Sequence, residues 1–410
     1  MNIKIPNIDI QDYDYSLAED RIAKYPLPQR DESKLLVWTD GVIQDLSFSD
    51  IPDLVNNDAL VVYNDTKVIY SRLFFKKETG SIIEIFCLEP HSPSEINSAF
   101  SACGRAEWKV MIGNNRRWKT GDLSKKEIIE SREVELKVRK KERVGRDWIV
   151  EFEWNDDLSF AEILSNMGII PLPPYLNREA DQSDNTDYQT VYAESQGSVA
   201  APTAGLHFTD SILSRLRSKG IGLSPITLHV GAGTFKPVST DSIQEHGMHN
   251  EKILIGRNLV ESLLVAKHIL SVGTTTTRTL ESLYWYGVEI LEGRQKENEI
   301  KISQWQPYQN PCNYTRQESI KAILNYMDNA GFDHIYGETQ LIIVPSYKFK
   351  MIDTLLTNFH QPKSTLLLLV SALIGKEWKK VYTHALDNEY RFLSYGDACL
   401  FRPGHIEKSK

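Results

Sequence analysis

The sequence predicts an α/β protein that carries an inserted all-β, barrel-like domain. Two short apolar runs near the start, at 35–38 and 59–63, have the length of strands. From Val68 to Trp154 the chain is rich in β-branched and aromatic residues and holds few helix signals. After Trp154, segments with strand and helix patterns alternate. The β-rich block therefore interrupts an α/β domain that begins before it and resumes after it.

These changes of pattern give the domain boundaries. We assign residues 1–70 and 156–410 to a discontinuous α/β catalytic domain, and residues 71–155 to the inserted β-barrel domain. Within the α/β domain, residues 289–336 are polar and show little periodicity before 319–327. We interpret 289–336 as a surface excursion with one helix.

Two strands of the inserted block show strict alternation of polar and apolar residues, at Val134–Arg139 and Trp148–Trp154. Such alternation buries one face of a strand and exposes the other.

In the α/β part, Gly168 and Gly220 follow apolar helical patterns and are good helix stops. The pattern predicts helices at 158–167, 209–219, 259–267, 274–283 and 365–373, and strands at 226–230, 269–272 and 341–344.

Composition is that of an ordinary soluble globular protein, with a net charge of −8 and 41% hydrophobic residues. The start of the chain lacks a secretory signal, and the longest apolar run, 366–374, is too short to span a bilayer. The four cysteines form no CxxC motif, so reduced thiols are expected. We expect a cytoplasmic protein with no membrane partner.

Positive charge is concentrated in the inserted block. Residues 101–146 hold fourteen Lys or Arg against seven Asp or Glu, and the densest points include Arg116, Arg117, Arg139 and Lys140. A local basic patch on an acidic chain attracts phosphates. A solvated hairpin face with no ligand explains the same charge, and charge alone leaves both readings open.

Two histidines lie in turns built from small residues. His207 ends the run Ala200-Ala201-Pro202-Thr203-Ala204-Gly205-Leu206-His207, and His229 is followed by Val230-Gly231-Ala232-Gly233-Thr234. Tight glycine turns bring backbone close to a ligand, and histidine suits proton transfer near neutral pH. These turns predict a site, in which Gly231, Gly233 and Thr234 approach the ligand.

A further strand–glycine–helix transition occurs at Gly273, which is followed by Thr274, Thr275 and, one turn on, Arg278. A helix start after a strand offers backbone N–H groups to an anion or a polar ligand. The segment matches neither the P-loop nor the GxGxxG pattern. A simple threonine cap is the alternative interpretation.

Other candidates are polar residues near predicted element ends. His246, His249 and Glu251 are spaced for metal binding or for acid–base chemistry, and we expect the latter and no metal. Asn358 and His360 lie at the entrance of the apolar helix 365–373. Near the C-terminus, aromatic residues alternate with charged ones around Arg391, Tyr395 and Asp397, a pattern suited to stacking and bonding a base or to a buried ion pair.

Taken in order, these motifs resemble those of the S-adenosylmethionine:tRNA ribosyltransferase-isomerase family of queuosine biosynthesis. The resemblance covers most of the chain outside the β-rich block and the excursion. The sequence departs from the family pattern at Lys67, Tyr70-Ser71 and Ser346. The matching stretches are 22–31, 64–69, 170–175, 188–193, 199–209, 227–237, 246–251, 272–282, 357–365 and 390–397.

The resemblance implies the reaction. The ribosyl part of S-adenosylmethionine passes to 7-aminomethyl-7-deazaguanine at the wobble position of a tRNA with a GUN anticodon. The sugar isomerises to give epoxyqueuosine, and adenine and methionine leave. S-adenosylmethionine is thus a substrate that is consumed, no cofactor is implied, and a monomer is expected.

The same chemistry implies roles for the candidate residues. A general base must take a proton from the ribose C5′ carbon, and a proton donor helps adenine leave; the candidates are His207, His229, His246, His249, Glu251 and His360. The turns at Gly231–Thr234 and Gly273–Arg278 would hold S-adenosylmethionine, together with Asn358. Arg391, Tyr395 and Asp397 would contact the deazaguanine or the anticodon, and Arg116, Arg117, Arg139 and Lys140 would contact tRNA phosphates.

Three alternatives stay open at this level. A methyltransferase would release S-adenosylhomocysteine, and a tRNA-binding module would bind in a salt-sensitive way without turnover. A metalloenzyme built on His246 and His249 would lose activity to chelators.

Overall fold

The computed structural model describes residues 5–231, 242–248, 250–295, 299–309 and 312–404. The chain divides into two compact units. The first, here the sheet unit, comprises residues 1–66, 187–194 and 201–410, and the second, the barrel unit, comprises 67–186 and 195–200. No helix among the described residues is both long and apolar enough to cross a membrane.

The secondary structure alternates as expected of a mixed α/β chain. The strands are β1 Lys34–Thr39, β2 Val42–Ser47, β3 Ala59–Asn64, β4 Thr66–Val68, β5 Arg72–Lys76, β6 Ile82–Ser92, β7 Arg105–Gly113, β8 Leu123–Ile129, β9 Arg132–Val144, β10 Asp147–Trp154, β11 Ser195–Ser198, β12 Gly222–His229, β13 Glu251–Gly256, β14 His268–Val272, β15 Glu299–Ile302, β16 His334–Thr339, β17 Thr354–Asn358 and β18 Ala398–Arg402. The helices are α1 Ile51–Leu54, α2 Ile96–Ser101, α3 Phe160–Met167, α4 Asp184–Asp187, α5 Asp210–Ser218, α6 Arg257–Val265, α7 Thr274–Leu291, α8 Gln306–Gln309, α9 Arg316–Ala330, α10 Thr365–Ile374 and α11 Glu377–Asp387.

The sheet unit is built on a ten-stranded sheet in the order β15-β16-β13-β12-β3-β14-β17-β18-β1-β2. Its centre, β12-β3-β14-β17, is parallel. Strands β3 and β17 are buried along almost their whole length, as strands covered on both faces must be. The α/β prediction for this part of the chain is therefore confirmed.

The parallel centre brings several chain segments to one edge. The carboxyl ends of β12, β3, β14 and β17 share that edge. Strand β18 runs antiparallel to β17, and β1 runs parallel to β18, so both begin there. Strand β13 runs antiparallel to β12 and also begins there. We call this edge the carboxyl edge.

Helix α7 starts directly at the carboxyl edge and is the central buried helix of the unit. Gly273 before it has a φ of 92°, which favours glycine, and its N–H donates to the Leu356 carbonyl at 2.8 Å. Two turns on, the buried Glu281 carboxylate accepts from the Tyr347 hydroxyl at 2.8 Å and from backbone N–H groups of 350–352. These bonds hold the segment before β17 against α7.

The barrel unit contains a six-stranded antiparallel sheet in the order β5-β6-β7-β10-β9-β8. The first and last strands contact each other, so the sheet curls towards closure. The alternating residues of β9 and β10 point into a core that includes Trp108 and Phe152. A barrel-like all-β sheet was predicted here, and the six strands confirm it.

The barrel unit is longer than the predicted insertion, residues 71–155. It begins at Lys67 and continues to Thr186. The reason lies in α3, whose Phe160 and Ile163 are fully buried in the barrel core beside Trp108. A helical pattern in sequence did not show which core the helix joins.

Two predictions for the sheet unit were wrong. Residues 289–336 are not a surface excursion, because they supply β15, all of α9 and the start of β16, and Ile320 and Ile323 of α9 are fully buried. The apolar run 341–344 is not a strand. It is buried extended chain that bonds to loop and side-chain groups, such as the Tyr308 hydroxyl that accepts from the Val344 N–H at 3.0 Å.

Candidate active site

The carboxyl edge of the sheet unit gathers most of the predicted histidines. His229 ends β12, and His360 follows β17 by two residues. His207 ends a 3₁₀ turn at Thr203–His207 and is joined to Asn358, the last residue of β17. Residues that are far apart in sequence thus lie along one edge because their strands belong to the same parallel part of the sheet.

His207 is buried and has partners on both ring nitrogens. Its Nδ1 lies 2.9 Å from the Ser33 hydroxyl, and its Nε2 lies 3.1 Å from Asn358 Nδ2. The Asn358 carbonyl oxygen accepts from the Thr203 hydroxyl at 3.0 Å, so its amide nitrogen donates to His207. His207 Nε2 is then the acceptor and Nδ1 carries the proton. We call Ser33, Thr203, His207 and Asn358 the His207 cluster.

Burial keeps the His207 ring neutral. Desolvation lowers its pKa to about 4, against a favourable effect of the negative charge of Asp397. The Phe48 ring packs at 5.0 Å between centroids. At neutral pH the imidazole is therefore uncharged, and both its nitrogens are already engaged within the chain.

His229 is held by the end of the neighbouring strand β3. Its Nδ1 lies 3.1 Å from the Thr66 hydroxyl. Asn64 accepts from the Leu228 N–H at 3.0 Å and donates to the Leu228 carbonyl at 2.9 Å, which locks the two strand ends together. We call Asn64, Thr66 and His229 the His229 cluster.

The environment of His229 also favours a neutral ring. Burial lowers its pKa to about 4, and the positive charge of Lys252 acts in the same direction. Its described hydrogen bond involves Nδ1, and Nε2 makes none within the described residues. His229 therefore offers a lone pair or a proton at Nε2, which His207 does not.

His360 is fixed by backbone bonds on both sides. Its N–H donates to the Tyr382 hydroxyl at 3.1 Å, and its carbonyl accepts from the Tyr15 hydroxyl. Its Nε2 lies 3.0 Å from the hydroxyl of Thr357 on β17. Burial lowers its pKa to about 3. These contacts give His360 a structural environment, with its ring turned back on β17.

The two histidine clusters lie apart along the carboxyl edge. Strands β12 and β17 are separated by β3 and β14, so three strand spacings of about 4.8 Å put His229 and Asn358 about 14 Å apart. The start of α7 lies between them, after β14. A Cβ on Gly273 would lie 3.8 Å from the Ala204 side chain, which places the 203–207 turn beside that helix start.

The predicted contacts for S-adenosylmethionine fall partly on this edge. Gly273 caps α7 without a side-chain hydrogen bond, and Thr274 and Thr275 form its first turn. Gly231 follows β12, and a Cβ there would meet open space. The predicted residues Gly233 and Thr234 lie outside the described residues.

Glu251 and Arg278 form a buried ion pair in the interior. Arg278 donates to the Glu251 carboxylate, and both side chains are almost fully buried. Desolvation lowers the pKa of Arg278 to about 10. The pair joins the start of β13 to α7, so the charge of each residue is already balanced.

The metal candidates can be placed only in part. His246 lies in the turn before β13, and its carbonyl accepts from Gln304 at 2.6 Å. His249 lies outside the described residues. Within the described ranges, no group of three or more His, Cys, Asp or Glu side chains is arranged to hold a metal ion.

Asp397 and Arg391 lie beside the His207 cluster. The Asp397 carboxylate accepts from the Lys34 N–H at 3.1 Å, from the Arg391 N–H at 2.8 Å and from the Arg391 guanidinium at 2.9 Å. The Arg391 side chain is 28% exposed, whereas Asp397 is 2% exposed. Tyr395 is buried and packs edge-on against Tyr188 at 5.9 Å. Arg391 is thus the member of this trio that remains open to a ligand.

The four basic residues predicted to contact tRNA belong to the barrel unit and differ in their partners. Arg116 and Arg117 are exposed in a short 3₁₀ turn. Arg139 pairs with both carboxylate oxygens of Asp122, at 3.0 and 2.7 Å. Lys140 lies over the Trp118 ring at 4.6 Å and donates to the Trp118 carbonyl. The Arg117 guanidinium also donates to the Ser81 hydroxyl at 3.3 Å, but neither Arg116 nor Arg117 is in an ion pair among the described residues, a difference from Arg139 that charge density in the sequence did not show.

Sequence reasoning did not single out several residues that position the histidines. Ser33 and Thr66 bond to the histidine rings and Asn64 bonds to the backbone beside His229, yet Ser33 precedes β1, Asn64 ends β3 and Thr66 begins β4, so each has the pattern of an ordinary turn residue. The signal that could have found them is their place at strand ends. Side chains at the carboxyl ends of parallel strands commonly line ligand sites.

The fold is that of a mixed α/β protein whose candidate site residues lie at the carboxyl edge of the parallel strands. A sequence model described as "Queuosine biosynthesis protein" matches residues 10–401. S-adenosylmethionine:tRNA ribosyltransferase-isomerase from Trichlorobacter lovleyi is 38% identical over 402 residues, which covers 95% of this chain and 99% of the relative. The enzyme of the same name from Azoarcus sp. is 36% identical and covers 96% and 97%. The chain therefore belongs to the S-adenosylmethionine:tRNA ribosyltransferase-isomerase family.

A solved structure is also similar in sequence. The crystal structure of S-adenosylmethionine tRNA ribosyltransferase from Thermotoga maritima is 26% identical, covers 95% of this chain and 99% of its own, and superposes with a TM-score of 0.45.

Proposed function

We propose that this protein transfers and isomerises the ribosyl moiety of S-adenosylmethionine onto 7-aminomethyl-7-deazaguanine at the tRNA wobble position. The products are epoxyqueuosine-tRNA, adenine and methionine. Family membership over residues 10–401 supports the reaction. The observation that supports the site is that the His207 and His229 clusters lie along the same edge of the sheet, on either side of the start of α7.

We assign the general base to His229. The sulfonium of S-adenosylmethionine acidifies the C5′ protons, and a neutral imidazole with an unengaged Nε2 can accept one of them. The Thr66 hydroxyl fixes the ring through Nδ1. His207, whose nitrogens are both bonded, serves instead to orient Asn358 and the 203–207 turn.

This division of roles has a direct test. His229→Gln should lower kcat by at least about 100-fold, the usual scale for loss of a general base, with little change in the affinity for S-adenosylmethionine. His207→Gln should lower thermal stability more than His229→Gln does, because it breaks a buried cluster. Turnover is followed by release of adenine and by mass analysis of tRNA nucleosides. Normal turnover by His229→Gln would show that His229 is not the general base.

For S-adenosylmethionine, we propose that its carboxylate binds at the start of α7. The N–H groups of the first turn have no side-chain cap, and a helix N-terminus favours an anion. Gly231 and Asn358 would line the same ligand, and Arg391 would contact the deazaguanine or the anticodon.

No separate cofactor takes part in this scheme, so EDTA should leave turnover unchanged, whereas a metalloenzyme would lose activity.

For tRNA, we propose that Arg116 and Arg117 contact phosphates. Both are exposed and make no ion pair among the described residues, whereas Arg139 is paired with Asp122 and Lys140 lies over the Trp118 ring. The double variant R116E/R117E should weaken binding to tRNA with a GUN anticodon and flatten its salt dependence by about two phosphate contacts. Arg139→Gln is the matched variant and should change the slope less. An unchanged slope in R116E/R117E would exclude this surface.

We also propose that the enzyme acts as a monomer. Light scattering should give the mass of one 46.9 kDa chain for the protein alone, and the mass of one chain plus one tRNA for the complex. The alternative methyltransferase reaction would appear in the same product analysis as S-adenosylhomocysteine in place of free adenine and methionine.

A further inference from the structure

Two buried hydroxyls without a partner lie beside the turn that carries His207. Thr190 Oγ1 and Tyr192 Oη are both buried, and neither has a hydrogen-bond partner among the described residues. A Cβ on Gly205 would lie 2.1 Å from Tyr192 Oη and 2.9 Å from Thr190 Cγ2. Only a glycine in the 203–207 turn leaves room for the two side chains in this position.

The pair lies in the gap between the two histidine clusters. The Tyr192 ring packs on Tyr63 with centroids 4.3 Å apart, and Tyr63 directly precedes Asn64 of the His229 cluster. On the other side, Gly205 stands two residues before His207, and its neighbour Ala204 approaches Gly273 at the start of α7. Thr190 and Tyr192 thus lie between the turn that carries His207 and the residue that precedes Asn64 of the His229 cluster.

Unpaired buried hydroxyls are rare and destabilise the folded state, so each requires a physical explanation. The Thr190 and Tyr192 hydroxyls can both donate and accept, which suits a neutral hydroxyl ligand. Beside burial, the neighbouring Tyr63 and the negative charge of Asp65 raise the pKa of Tyr192. A negative potential at this point disfavours an anionic group and favours a neutral one.

We propose that Thr190 and Tyr192 bind the ribose hydroxyls of S-adenosylmethionine and so hold the sugar between His229 and the start of α7. This inference rests on the proposed function, because it names the part of that substrate which the two side chains contact. It adds two substrate-binding residues from the segment 187–194, which belongs to the sheet unit although its flanks do not.

The decisive experiment compares variants and substrate analogues in binding assays that require no turnover. Calorimetry measures the Kd of S-adenosylmethionine and of its 2′-deoxy and 3′-deoxy analogues for wild type, Tyr192→Phe and Thr190→Val. Wild type should bind at least one deoxy analogue about tenfold more weakly than the parent compound. Each variant should bind the parent about tenfold more weakly and lose the discrimination against the matching analogue.

A paired tyrosine supplies the control. The Tyr284 hydroxyl, further along α7, donates to the Tyr314 carbonyl at 2.6 Å. Tyr284→Phe should lower Tm and keep the wild-type Kd. Tyr192→Phe should leave Tm unchanged or raise it, because it removes an unpaired hydroxyl.

Two results would overturn the inference. One is that Tyr192→Phe and Thr190→Val both keep wild-type affinity and discrimination. The other is that Tyr192→Phe lowers Tm as Tyr284→Phe does and binds normally, which would mean that the hydroxyl has a structural role. If wild type binds S-adenosylmethionine but does not modify tRNA, the proposed function fails, and the binding comparison still decides this inference.

Discussion

His207 should make the protein less stable in mild acid, and the size of the effect follows from its burial. Desolvation lowers its pKa from 6.5 to about 4 in the folded protein. Between these values the unfolded chain binds a proton that the folded protein excludes, so stability falls as pH falls through this window. The stability is fully present above pH 6.5, and from His207 alone the free energy of unfolding falls by about 2 kcal/mol between pH 7 and pH 5.

The assay is urea unfolding at pH 7 and pH 5 for wild type and His207→Asn. The substitution can lower the free energy of unfolding at pH 7. Between pH 7 and pH 5, however, the free energy of unfolding of the variant should fall by about 2 kcal/mol less than that of wild type. His334→Asn is the control: it makes the same substitution at an exposed histidine, so it shows the effect of losing a histidine that is not buried. NMR of protein with isotope-labelled histidine gives a second measurement, the titration of the His207 ring itself. An equal loss in wild type and His207→Asn, or a His207 ring that titrates near pH 6.5, would refute the reasoning.

Three further changes test the scaffold of the site. Glu281→Ala should lower the free energy of unfolding by about 3 kcal/mol or more in urea titrations, because it removes a buried acceptor of four donors; a loss below about 1 kcal/mol would contradict this. Gly273→Ala should cost about 1–3 kcal/mol, since φ is 92°, whereas Gly256→Ala, at a φ of −77°, should cost less. Thr66→Val should lower kcat about tenfold by releasing the His229 ring, while the protein stays folded with a small loss of Tm; unchanged kcat would show that the ring needs no such partner.

Local pattern was enough for elements whose packing follows from their own residues. The alternation at 134–139 and 148–154 gave two strands of the barrel unit, and the apolar run near 365–373 gave α10 almost to the residue. Local pattern predicted the wrong element where the residues that bury a segment are distant in sequence. The run 341–344 looks like a strand, but its backbone bonds to loop and side-chain groups, and β17 follows ten residues later.

The candidate site divides in the same way. The glycine-punctuated turns and the order of the motifs pointed to His207 and His229 before any coordinates. Sequence could not show that Asn358 occupies one nitrogen of His207 while Nε2 of His229 is unengaged within the described residues. Nor could it show that Arg139 is paired and Arg116 exposed, since both are arginines in a basic stretch.

The sequence by itself determined the family, the mixed α/β and barrel-like classes of fold, and the residue types at the turns, because each of these is written in short local patterns. Only the tertiary structure decided which side chains meet. Parallel pairing of β12, β3, β14 and β17 brings together strand ends that are up to about 300 residues apart along the chain. Burial at that edge then sets the charge of each histidine, since desolvation depends on neighbours that no local pattern specifies.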